Sequence, residues 1–457
     1  MDPYKYINSL SRFGTDAGFK PGLDRINALL GSFNHPEDRL KVIHVAGTNG
    51  KGSTIAFLKS IYTEAGYRVG VYTSPHLIHF NERIEVGNRA ISTAELTDLV
   101  SELVPRVEDL KKDPEVGGPT YFEFVTALAL LYFARKDVDL VLLEVGLGGR
   151  LDATNVIKEP LVSVITSISL DHTSILGNDV KSIAREKSGI IKRDCPVVTG
   201  VRNKEALRVI EETAKLKNSP LKIIDKEYSY NIIESSLEGQ SFTVFRLNNG
   251  DYSLEKEAES INGTEKIEYF IKLPGVYQVR NALLAMAVVD YLQEQYPVNL
   301  VQIKKGLASA FIPGRMEVLA RSPLIIADGA HNVEGVKKLV NSLGPLINED
   351  RQFYIIVGIL GDKDVEGMIE MLDFGKAKKE LIITRNTNSR SCSPEVIGQY
   401  AQRRGIKYRV YPDLKTSLTG VLNDARPEDV ICVTGSLYTV SEAKILVQSG
   451  IKHNSQS

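Results

Sequence analysis

From Lys41 onward, short apolar runs alternate with longer amphipathic segments along the chain. The runs are rich in Val and Ile and have the length of strands, and the intervals are long enough for helices. This alternation is typical of parallel strands joined by helical crossovers, so we predict an α/β protein. The first strand candidates are "KVIHVAG" from Lys41, "RVGVYT" from Arg68, "VDLVLLEVG" from Val138 and "LVSVITS" from Leu161.

The region from about Tyr228 to Ile271 has a different pattern. It is polar, contains Asn-Asn-Gly at 248–250, and alternates in "SFTVFRL" and "IEYFIKL". These features predict an antiparallel hairpin appended to the sheet. A helix-like stretch follows from Val276 to Gln293.

A linker is predicted at "FIPGRMEV", which contains Pro313 and Gly314. After it the alternation restarts, and we expect a second, Rossmann-like α/β domain over residues 313–457, preceded by a first domain over residues 1–312. No G-x-G-x-x-G follows the first strand of this second domain, so dinucleotide binding is not indicated. Its strand candidates are "PLIIADGA", "QFYIIVGIL", "ELIITR", "KYRVYP" and "DVICVTGS".

Composition and charge exclude several classes of function. The 457 residues carry a formal net charge of -1, which gives no electrostatic reason to expect nucleic acid or an anionic membrane as partner. The three cysteines are widely spaced, so neither a disulfide framework nor a cysteine metal cluster is indicated. The first residues resemble no secretory leader, and no run of about 18 apolar residues is present. We therefore expect a cytoplasmic protein. We also expect it to be a monomer.

A glycine-rich loop follows the first strand candidate, within "HVAGTNGKGST" at residues 44–54. Its glycines let backbone N–H groups turn inward, the following helix offers unpaired N–H groups, and Lys51 adds a positive charge. The spacing departs from G-x-x-x-x-G-K-[ST], since Val45 stands at the first glycine position and Gly52 follows the lysine. The loop predicts a phosphate cradle, and the alternative is a glycine-rich turn with a solvated lysine.

Two oxygen-bearing residues are expected near this loop. Glu144 ends the apolar run "VDLVLLE", and Ser74 follows the strand "RVGVYT", so both should lie at the carboxyl edge of the sheet, where doubly wound folds bind ligands. Nucleotide phosphates require magnesium, which takes oxygen ligands. Glu144 could instead be a helix cap or an ion-paired surface carboxylate.

The order of motifs along the whole chain resembles the folylpolyglutamate synthase/dihydrofolate synthase family of the Mur ligase superfamily. The phosphate loop matches the family's G-T-N-G-K-G-S, and "EVGLGGRLDATN" at 144–155 is the more specific match. Further matching segments are "TSPHLIHFNERI" (73–84), "YFEFVTALAL" (121–130), "ISLDHTSILG" (168–177), "IAREKSGIIK" (183–192), "NALLA" (281–285), "PGRMEV" (313–318), "DGAHN" (328–332), "GDKD" (361–364) and "VTGSLYTV" (433–440).

The resemblance implies an N-terminal P-loop Mur-ligase-like ATPase domain, a C-terminal Rossmann-like domain, and ATP and Mg2+ as cofactors. It assigns Ser74 and Glu144 to one magnesium ion, and Glu144, His172 and Lys187 to a second, with Lys187 carbamylated. From the residues alone, His172 could be structural and Lys187 a solvated helix lysine. The residues implied for nucleotide binding are Gly47, Thr48, Asn49, Gly50, Lys51, Gly52, Ser53, Asn281, Arg315, Asp328 and His331, and those implied for catalysis are Lys51, Lys187, His172 and Arg315.

The resemblance also implies that the loop "GLGGRLDATN" closes on a pterin together with "SPHL" and "YFE". The substrate residues implied are Phe122, Arg150, Asp152 and Thr154, although an ordinary structural loop and core packing by "YFEF" are the alternatives. Arg315 could equally form a linker salt bridge, and Asp328 and His331 a helix cap with a turn. Two departures from the family concern the adenine side: Tyr277 stands where histidine is common, and Val333 where proline is common.

The implied reaction is ATP-dependent addition of L-glutamate to a reduced folate, with ATP between the two domains and an acyl phosphate intermediate. Three alternatives stay open. They are dihydrofolate synthase activity on dihydropteroate, alone or together with chain elongation; a cell-wall Mur ligase, disfavoured by the loop at 144–155; and a regulatory ATPase without ligase activity.

Overall fold

The computed structural model describes residues 1–11, 22–247, 259–261, 264–347, 350–374 and 378–450. The chain forms two compact units. One comprises Met1–Asn231, Thr243–Tyr269 and Arg280–Ala310, and the other comprises Ile232–Phe242, Phe270–Val279 and Phe311–Ser457. The second unit thus includes residues 232–242, 270–279 and 311–312, which the sequence analysis assigned to the first domain.

An eight-stranded sheet organises the first unit, in the order β4-β3-β2-β5-β1-β6-β7-β8. Its strands are β1 Val42–Ala46, β2 Val69–Tyr72, β3 Ile84–Val86, β4 Arg89–Ala90, β5 Leu140–Glu144, β6 Val162–Ile165, β7 Val197–Thr199 and β8 Leu221–Ile223. The six strands from β2 to β8 in this order are parallel, and β3 and β4 add an antiparallel edge. All four strands predicted at the start of the chain are confirmed.

Helices cover both faces of this sheet, which explains why β1 and β5 are buried along their whole length. One apolar core lies under α1, α2, α4 and α5, and another under α7 and α8. The helices of this part of the chain are α1 Pro3–Ser9, α2 Asp24–Gly31, α3 Lys51–Glu64, α4 Thr93–Leu110, α5 Tyr121–Lys136, α6 Thr173–Leu176, α7 Val180–Ser188, α8 Lys204–Leu216, α9 Ile224–Glu227, α10 Tyr277–Tyr291 and α11 Leu300–Ser309.

A separate four-stranded sheet has the order β11-β12-β10-β9. Its strands are β9 Tyr228–Ser235, β10 Gln240–Arg246, β11 Glu259–Ile261 and β12 Thr264–Ile271. The predicted strands "SFTVFRL" and "IEYFIKL" are β10 and β12, and they are neighbours, but they do not extend the large sheet as predicted. The Asn-Asn-Gly at 248–250 lies outside the described residues. The predicted helix after this region is confirmed as α10.

The second unit is built on a six-stranded sheet in the order β13-β14-β18-β15-β16-β17. All pairs are parallel except β13 with β14. Its elements are β13 Glu317–Arg321, β14 Leu324–Ala327, α12 Val333–Leu343, β15 Gln352–Val357, α13 Val365–Leu372, β16 Lys378–Ile383, α14 Pro394–Arg403, β17 Tyr408–Val410, α15 Leu414–Asp424, β18 Val430–Thr434 and α16 Leu437–Gln448.

The five strands predicted for this unit are confirmed, and β13 was missed. Most of β13 is only half-buried and its sequence lacks a long apolar run, so its pairing with β14 at the sheet edge is what makes it a strand. Apolar cores fill both faces of the six-stranded sheet. None of the helices in the described ranges is long and apolar enough to cross a bilayer.

The register of the large sheet brings three strand ends together. Val45 of β1 lies opposite Glu144 of β5, and Ala46 lies opposite Ile165 of β6. Because these neighbours are parallel, the segments that follow them emerge at the same edge. The glycine-rich loop, Glu144 and the segment after β6 therefore meet there.

Helix α3, which follows the glycine-rich loop, packs closely on α11. A Cβ added to Gly306 would lie 2.5 Å from Cα and 2.7 Å from N of Ile61. We predict that Gly306→Ala lowers the free energy of unfolding by about 1–3 kcal/mol, because the clash with backbone exceeds the helix propensity that alanine gains.

Gly31→Ala is the matched control, measured by the same denaturant titration. Gly31 is the exposed last residue of α2, and its added Cβ would lie 3.4 Å from Nε2 of His35, which is ordinary van der Waals contact. Alanine should be neutral there or stabilise by up to about 1 kcal/mol. Equal effects of the two substitutions would contradict close packing of α3 on α11.

Candidate active site

The glycine-rich loop spans residues 47–50, between β1 and α3, and two of its glycines are sterically required. Gly47 has φ of +152°, and a Cβ there would lie 1.9 Å from Thr166 Oγ1. Gly50 has φ of +94°, and a Cβ there would lie 2.6 Å from Asn281 Oδ1. The structure thus places the predicted nucleotide residue Asn281, in α10, directly against the loop.

The segment after β6 fixes the shape of this loop. The N–H of Thr48 donates to Ser167 O at 2.8 Å, and the N–H of Asn49 donates to Ser167 Oγ at 3.0 Å. Thr166 Oγ1 donates to Asn49 O at 2.8 Å. Since these two amides are engaged by protein, the donors available for a phosphate are those of the first turn of α3, which Gly50 cannot cap with a side chain. Gly52 and Ser53 belong to that turn.

Lys51 folds back over the loop that precedes it. Its Nζ donates to Gly47 O at 3.0 Å and to Thr48 O at 3.3 Å, and it lies 3.9 Å from Glu144 Oε1. Glu144 Oε2 accepts the N–H of Ser74 at 3.1 Å. The predicted pair Ser74 and Glu144 is therefore brought together, next to the lysine of the loop.

Lys187 reaches the same loop from α7. Its side chain is buried, and its Nζ donates to Gly47 O at 3.1 Å, the carbonyl that Lys51 also contacts. Burial and the charge of Lys51 lower the pKa of Lys187 to about 7, against opposing contributions from Asp171 and Asp152. Lys187 is thus not the solvated helix lysine that was the alternative.

His172 lies at the start of α6, with its backbone in the left-handed region at φ of +51°. Its N–H donates to Asp171 Oδ1 at 2.9 Å, and its Nε2 lies 3.9 Å from that oxygen. Asp171 was not predicted as a site residue, although it directly precedes the predicted histidine. Its carboxylate acts electrostatically on Lys187 as well.

The second glycine-rich segment, residues 146–150, lies against α5 and α7. A Cβ on Gly146 would be 2.4 Å from Cζ of Phe122, so the predicted substrate residue Phe122 borders this loop. The half-exposed guanidinium of Arg150 donates to Glu186 Oε1 at 2.9 and 3.1 Å, and its backbone N–H donates to Glu186 O at 2.8 Å. Arg150 thus remains accessible, held by a residue that the sequence analysis had not selected.

Asp152 and Thr154 point inward. Asp152 accepts the N–H of Leu147 at 2.8 Å, the N–H of Thr154 at 3.0 Å and the hydroxyl of Thr154 at 2.6 Å. Burial raises the pKa of Asp152, and these hydrogen bonds oppose the rise. The Thr154 hydroxyl also lies 2.8 Å from Nε2 of His44, a fully buried residue of β1.

Asp152 and Thr154 were expected to face substrate, yet the structure gives both internal partners and leaves Thr154 without exposed surface. These hydrogen bonds shape the loop, and contact of the two residues with substrate stays a prediction. His44 was missed altogether, although a polar residue in the middle of the apolar run "KVIHVAG" was the available signal.

Glu123, which the resemblance had grouped with Phe122, holds helices together. It accepts two hydrogen bonds from Arg25 of α2, at 2.9 and 3.0 Å, and the N–H of Thr120 at 2.7 Å in a capping box at the start of α5. This arrangement gives Glu123 a structural role beside Phe122.

In the second unit, the predicted residues Arg315, Asp328 and His331 lie in two turns, one before β13 and one after β14. Asp328 is buried and accepts the N–H groups of Met316 and Ala330, both at 2.9 Å. Burial raises its pKa, and Arg315 opposes the rise. His331 Nδ1 donates to Gly329 O at 2.8 Å. Asp328 and His331 thus brace these turns, and contact of the three residues with nucleotide stays a prediction.

Comparison with known proteins matches both parts of the chain to one superfamily. Residues 45–289 match the Mur ligase middle domain, and residues 314–437 match the Mur ligase glutamate ligase domain. The dihydrofolate synthase/folylpolyglutamate synthase of Bacillus subtilis (strain 168) is 36% identical over 464 residues, covering 97% of this chain and 98% of that protein. The folylpolyglutamate synthase of Lacticaseibacillus casei is 34% identical over 447 residues, with the same coverage.

Solved structures agree with these sequence matches. Mycobacterium tuberculosis folylpolyglutamate synthase complexed with ADP has a TM-score of 0.84 at 28% identity, covering 97% of each chain. Escherichia coli FolC in complex with DHPP and ADP has a TM-score of 0.81 at 29% identity, covering 98% of each chain. The chain therefore belongs to the folylpolyglutamate synthase/dihydrofolate synthase family of the Mur ligases, a family of ATP-dependent glutamate ligases.

Proposed function

We propose that this chain adds L-glutamate to a reduced folate, with ATP bound at the glycine-rich loop of residues 47–50 and the first turn of α3, through Ser53. The observation that carries the proposal is the convergence on Gly47: the amines of Lys51 and Lys187 both donate to its carbonyl, and the Glu144 carboxylate lies 3.9 Å from Lys51. The Lys51 amine and the Glu144 carboxylate at a helix N-terminus form a site suited to phosphoryl transfer, and Lys187 reaches the same carbonyl from α7.

In the first step, an oxygen of the folate carboxylate attacks the γ-phosphorus of ATP. The bond from that phosphorus to the β-bridging oxygen breaks, so ADP leaves and an acyl phosphate remains. Lys51 and the first-turn amides of α3 stabilise the charge on the transferring group. Lys51 needs only to move its amine from the carbonyls of Gly47 and Thr48 onto the phosphate.

In the second step, the amine of glutamate attacks the acyl carbon, phosphate leaves, and the nitrogen loses a proton to give the amide. Phe122 and Arg150 are the side chains we assign to the folate side, because Phe122 borders the loop of residues 146–150 and Arg150 is exposed on it.

The donor set at this edge fits magnesium, because a buried carboxylate is a hard oxygen ligand. Glu144 and Ser74 would hold one ion, and Glu144, His172 and a carbamylated Lys187 a second. When bound, the metal neutralises negative charge on the phosphates.

A second candidate is addition of glutamate to dihydropteroate, which makes dihydrofolate. It is favoured by the two activities in the name of the Bacillus subtilis relative and by the DHPP complex of Escherichia coli FolC. Both reactions use the same carboxylate and amine chemistry, so one chain can carry both.

The test is ADP release measured with tetrahydrofolate or dihydropteroate, each with and without glutamate. We expect turnover to require both a pterin carboxylate and glutamate. Turnover with dihydropteroate and glutamate, but not with tetrahydrofolate and glutamate, would restrict the enzyme to dihydrofolate synthesis. ADP release that is indifferent to both would identify an ATPase and contradict the proposal.

Lys51→Ala should abolish ligation while the protein stays folded. The side chain contacts loop carbonyls and Glu144 rather than the apolar core, so its loss removes charge from the site and little packing. We expect ADP release to fall by about 1,000-fold or more. Lys59→Ala is the matched control, because Lys59 lies on the same helix and pairs with Glu85 instead. Near-normal turnover by Lys51→Ala would refute the assignment of the loop.

Lys187 has the surroundings that carbamylation needs. The neutral amine attacks CO2, a nitrogen–carbon bond forms, and one proton is released. An ordinary lysine is neutral in only about one molecule in 2,500 at pH 7, given a pKa of about 10.4. With its pKa lowered to about 7, about half of the Lys187 amines are neutral at that pH. As the pH falls below about 7 the amine protonates, so carbamate formation should slow.

Lys187→Ala should lose most activity, and acetate at high concentration should restore part of it by occupying the place of the carbamate. Lys187→Arg should be inactive and should not respond to acetate, since a guanidinium forms no carbamate and keeps its charge. Lys181→Ala on the same helix is the control, because that exposed lysine pairs with Glu205 away from the loop. Full activity of Lys187→Ala, or equal rescue of the alanine and arginine variants, would remove the carbamate.

A further inference from the structure

A continuous chain of buried hydrogen bonds joins the strand of the phosphate loop to the loop on the folate side. It runs from His44 Nε2 to Thr154 Oγ1 at 2.8 Å, and from there to Asp152 Oδ1 at 2.6 Å. The other carboxylate oxygen of Asp152 accepts the N–H of Leu147 at 2.8 Å. The chain thus ends on the backbone of the glycine-rich segment that follows β5.

Proton accounting fixes the direction of each bond. Thr154 has one hydroxyl proton, which it donates to Asp152. It must therefore accept from His44, so His44 carries its proton on Nε2. Burial lowers the pKa of His44 to about 3, with Lys192 acting in the same sense, so the ring is neutral at physiological pH. His44 consequently acts as a fixed hydrogen-bond donor.

The use of histidine here has a cost that packing alone does not explain. His44 is fully buried, and no residue in the described part of the chain hydrogen-bonds its Nδ1. An unsatisfied buried nitrogen destabilises a protein, whereas methionine or leucine would fill such a position without that cost. The compensating gain is the bond to Thr154, which selects one orientation of the hydroxyl and hence of the Asp152 carboxylate.

The donor is also held rigidly. His44 lies in the middle of β1, opposite Leu143 of β5 and Ser163 of β6. Gly47 directly follows the same strand, three residues after His44, and its carbonyl accepts hydrogen bonds from the amines of Lys51 and Lys187. One strand therefore carries both the anchor of the nucleotide loop and the anchor of the folate-side loop.

We propose that His44 is a positioning residue, which acts through Thr154 and Asp152 to hold the loop of residues 146–150 in the shape that receives the folate. This inference rests on the proposed function, because it assigns the loop to the folate side. It makes His44 a determinant of folate affinity that touches neither folate nor ATP.

The test compares variants that keep or remove each hydrogen bond. His44→Met and Thr154→Val fill similar volume without the donor or the hydroxyl, whereas His44→Gln and Thr154→Ser retain them. We expect His44→Met and Thr154→Val to raise KM for the folate by about tenfold, since misplacement of a binding loop by a fraction of an ångström has effects of this size. KM for ATP should change by less than about twofold, and His44→Gln and Thr154→Ser should keep KM for the folate within about threefold of the wild type.

The double variant His44→Met/Thr154→Val adds an independent criterion. Because the two residues act through one chain, its KM for the folate should equal that of Thr154→Val alone. Multiplication of the two single effects would overturn the proposal. So would a loss of kcat that follows the folded fraction, measured by circular dichroism, with every KM unchanged, since a purely structural role predicts that result.

A second pair of variants and a wild-type measurement complete the test. If His44→Met does not fold, the Thr154→Val and Thr154→Ser pair decides the question by the same KM comparison. Failure of the proposed function would be seen in the wild type, as ADP release that needs neither folate nor glutamate. Failure of this inference would be seen in the variants instead, as an unchanged KM for the folate or as single effects that multiply, while the wild type still requires folate and glutamate.

Discussion

The carbonyl oxygen of Gly47 accepts hydrogen bonds from two lysine amines, and the chemistry of the site depends on this arrangement. Lys51 arrives from the helix that the loop begins, and Lys187 from a helix about 140 residues later. Two ammonium groups this close repel each other, and the more buried one yields its proton more readily. Burial is the main cause of the lowered pKa of Lys187, and the charge of Lys51 at the same carbonyl lowers it further.

The parallel sheet makes this convergence possible. The ends of β1, β5 and β6 lie side by side, so the loop at Gly47, the carboxylate of Glu144 and the hydroxyl of Thr166 meet without long connections. Thr166 takes the space that a side chain on residue 47 would need, and its hydroxyl binds Asn49 O. The loop is therefore held by its neighbours before any ligand arrives, which is the preorganisation that phosphoryl transfer uses.

Much of this could be predicted from the sequence, because the buried strands are continuous apolar runs and the residues that follow them are chemically distinctive. Lys51, Ser74 and Glu144 follow such strands, whereas Lys187, in α7, was predicted only through the resemblance to the family; the structure brings the four residues to one loop. Asp152 and Thr154 were predicted to face substrate, and in the structure both are buried and hydrogen-bonded internally. A sequence pattern does not tell which way a polar side chain in a loop points. Strands β10 and β12 were recognised and paired with each other, but the sequence pattern did not show that they belong to a separate sheet with β9 and β11.

The ion pair between Arg25 and Glu123 gives the beginning of the chain an influence on the site. Arg25 lies in α2 and Glu123 in the first turn of α5, one residue after Phe122. Glu123 is buried, so loss of the guanidinium would leave a buried carboxylate without its ion-pair partner, which is far more costly than loss of an exposed pair. Shortening the protein past Arg25 would therefore disturb the helix end that presents Phe122, some 100 residues away in sequence. For engineering purposes, α2 belongs to the catalytic module, and fusion partners at this terminus should be attached ahead of it.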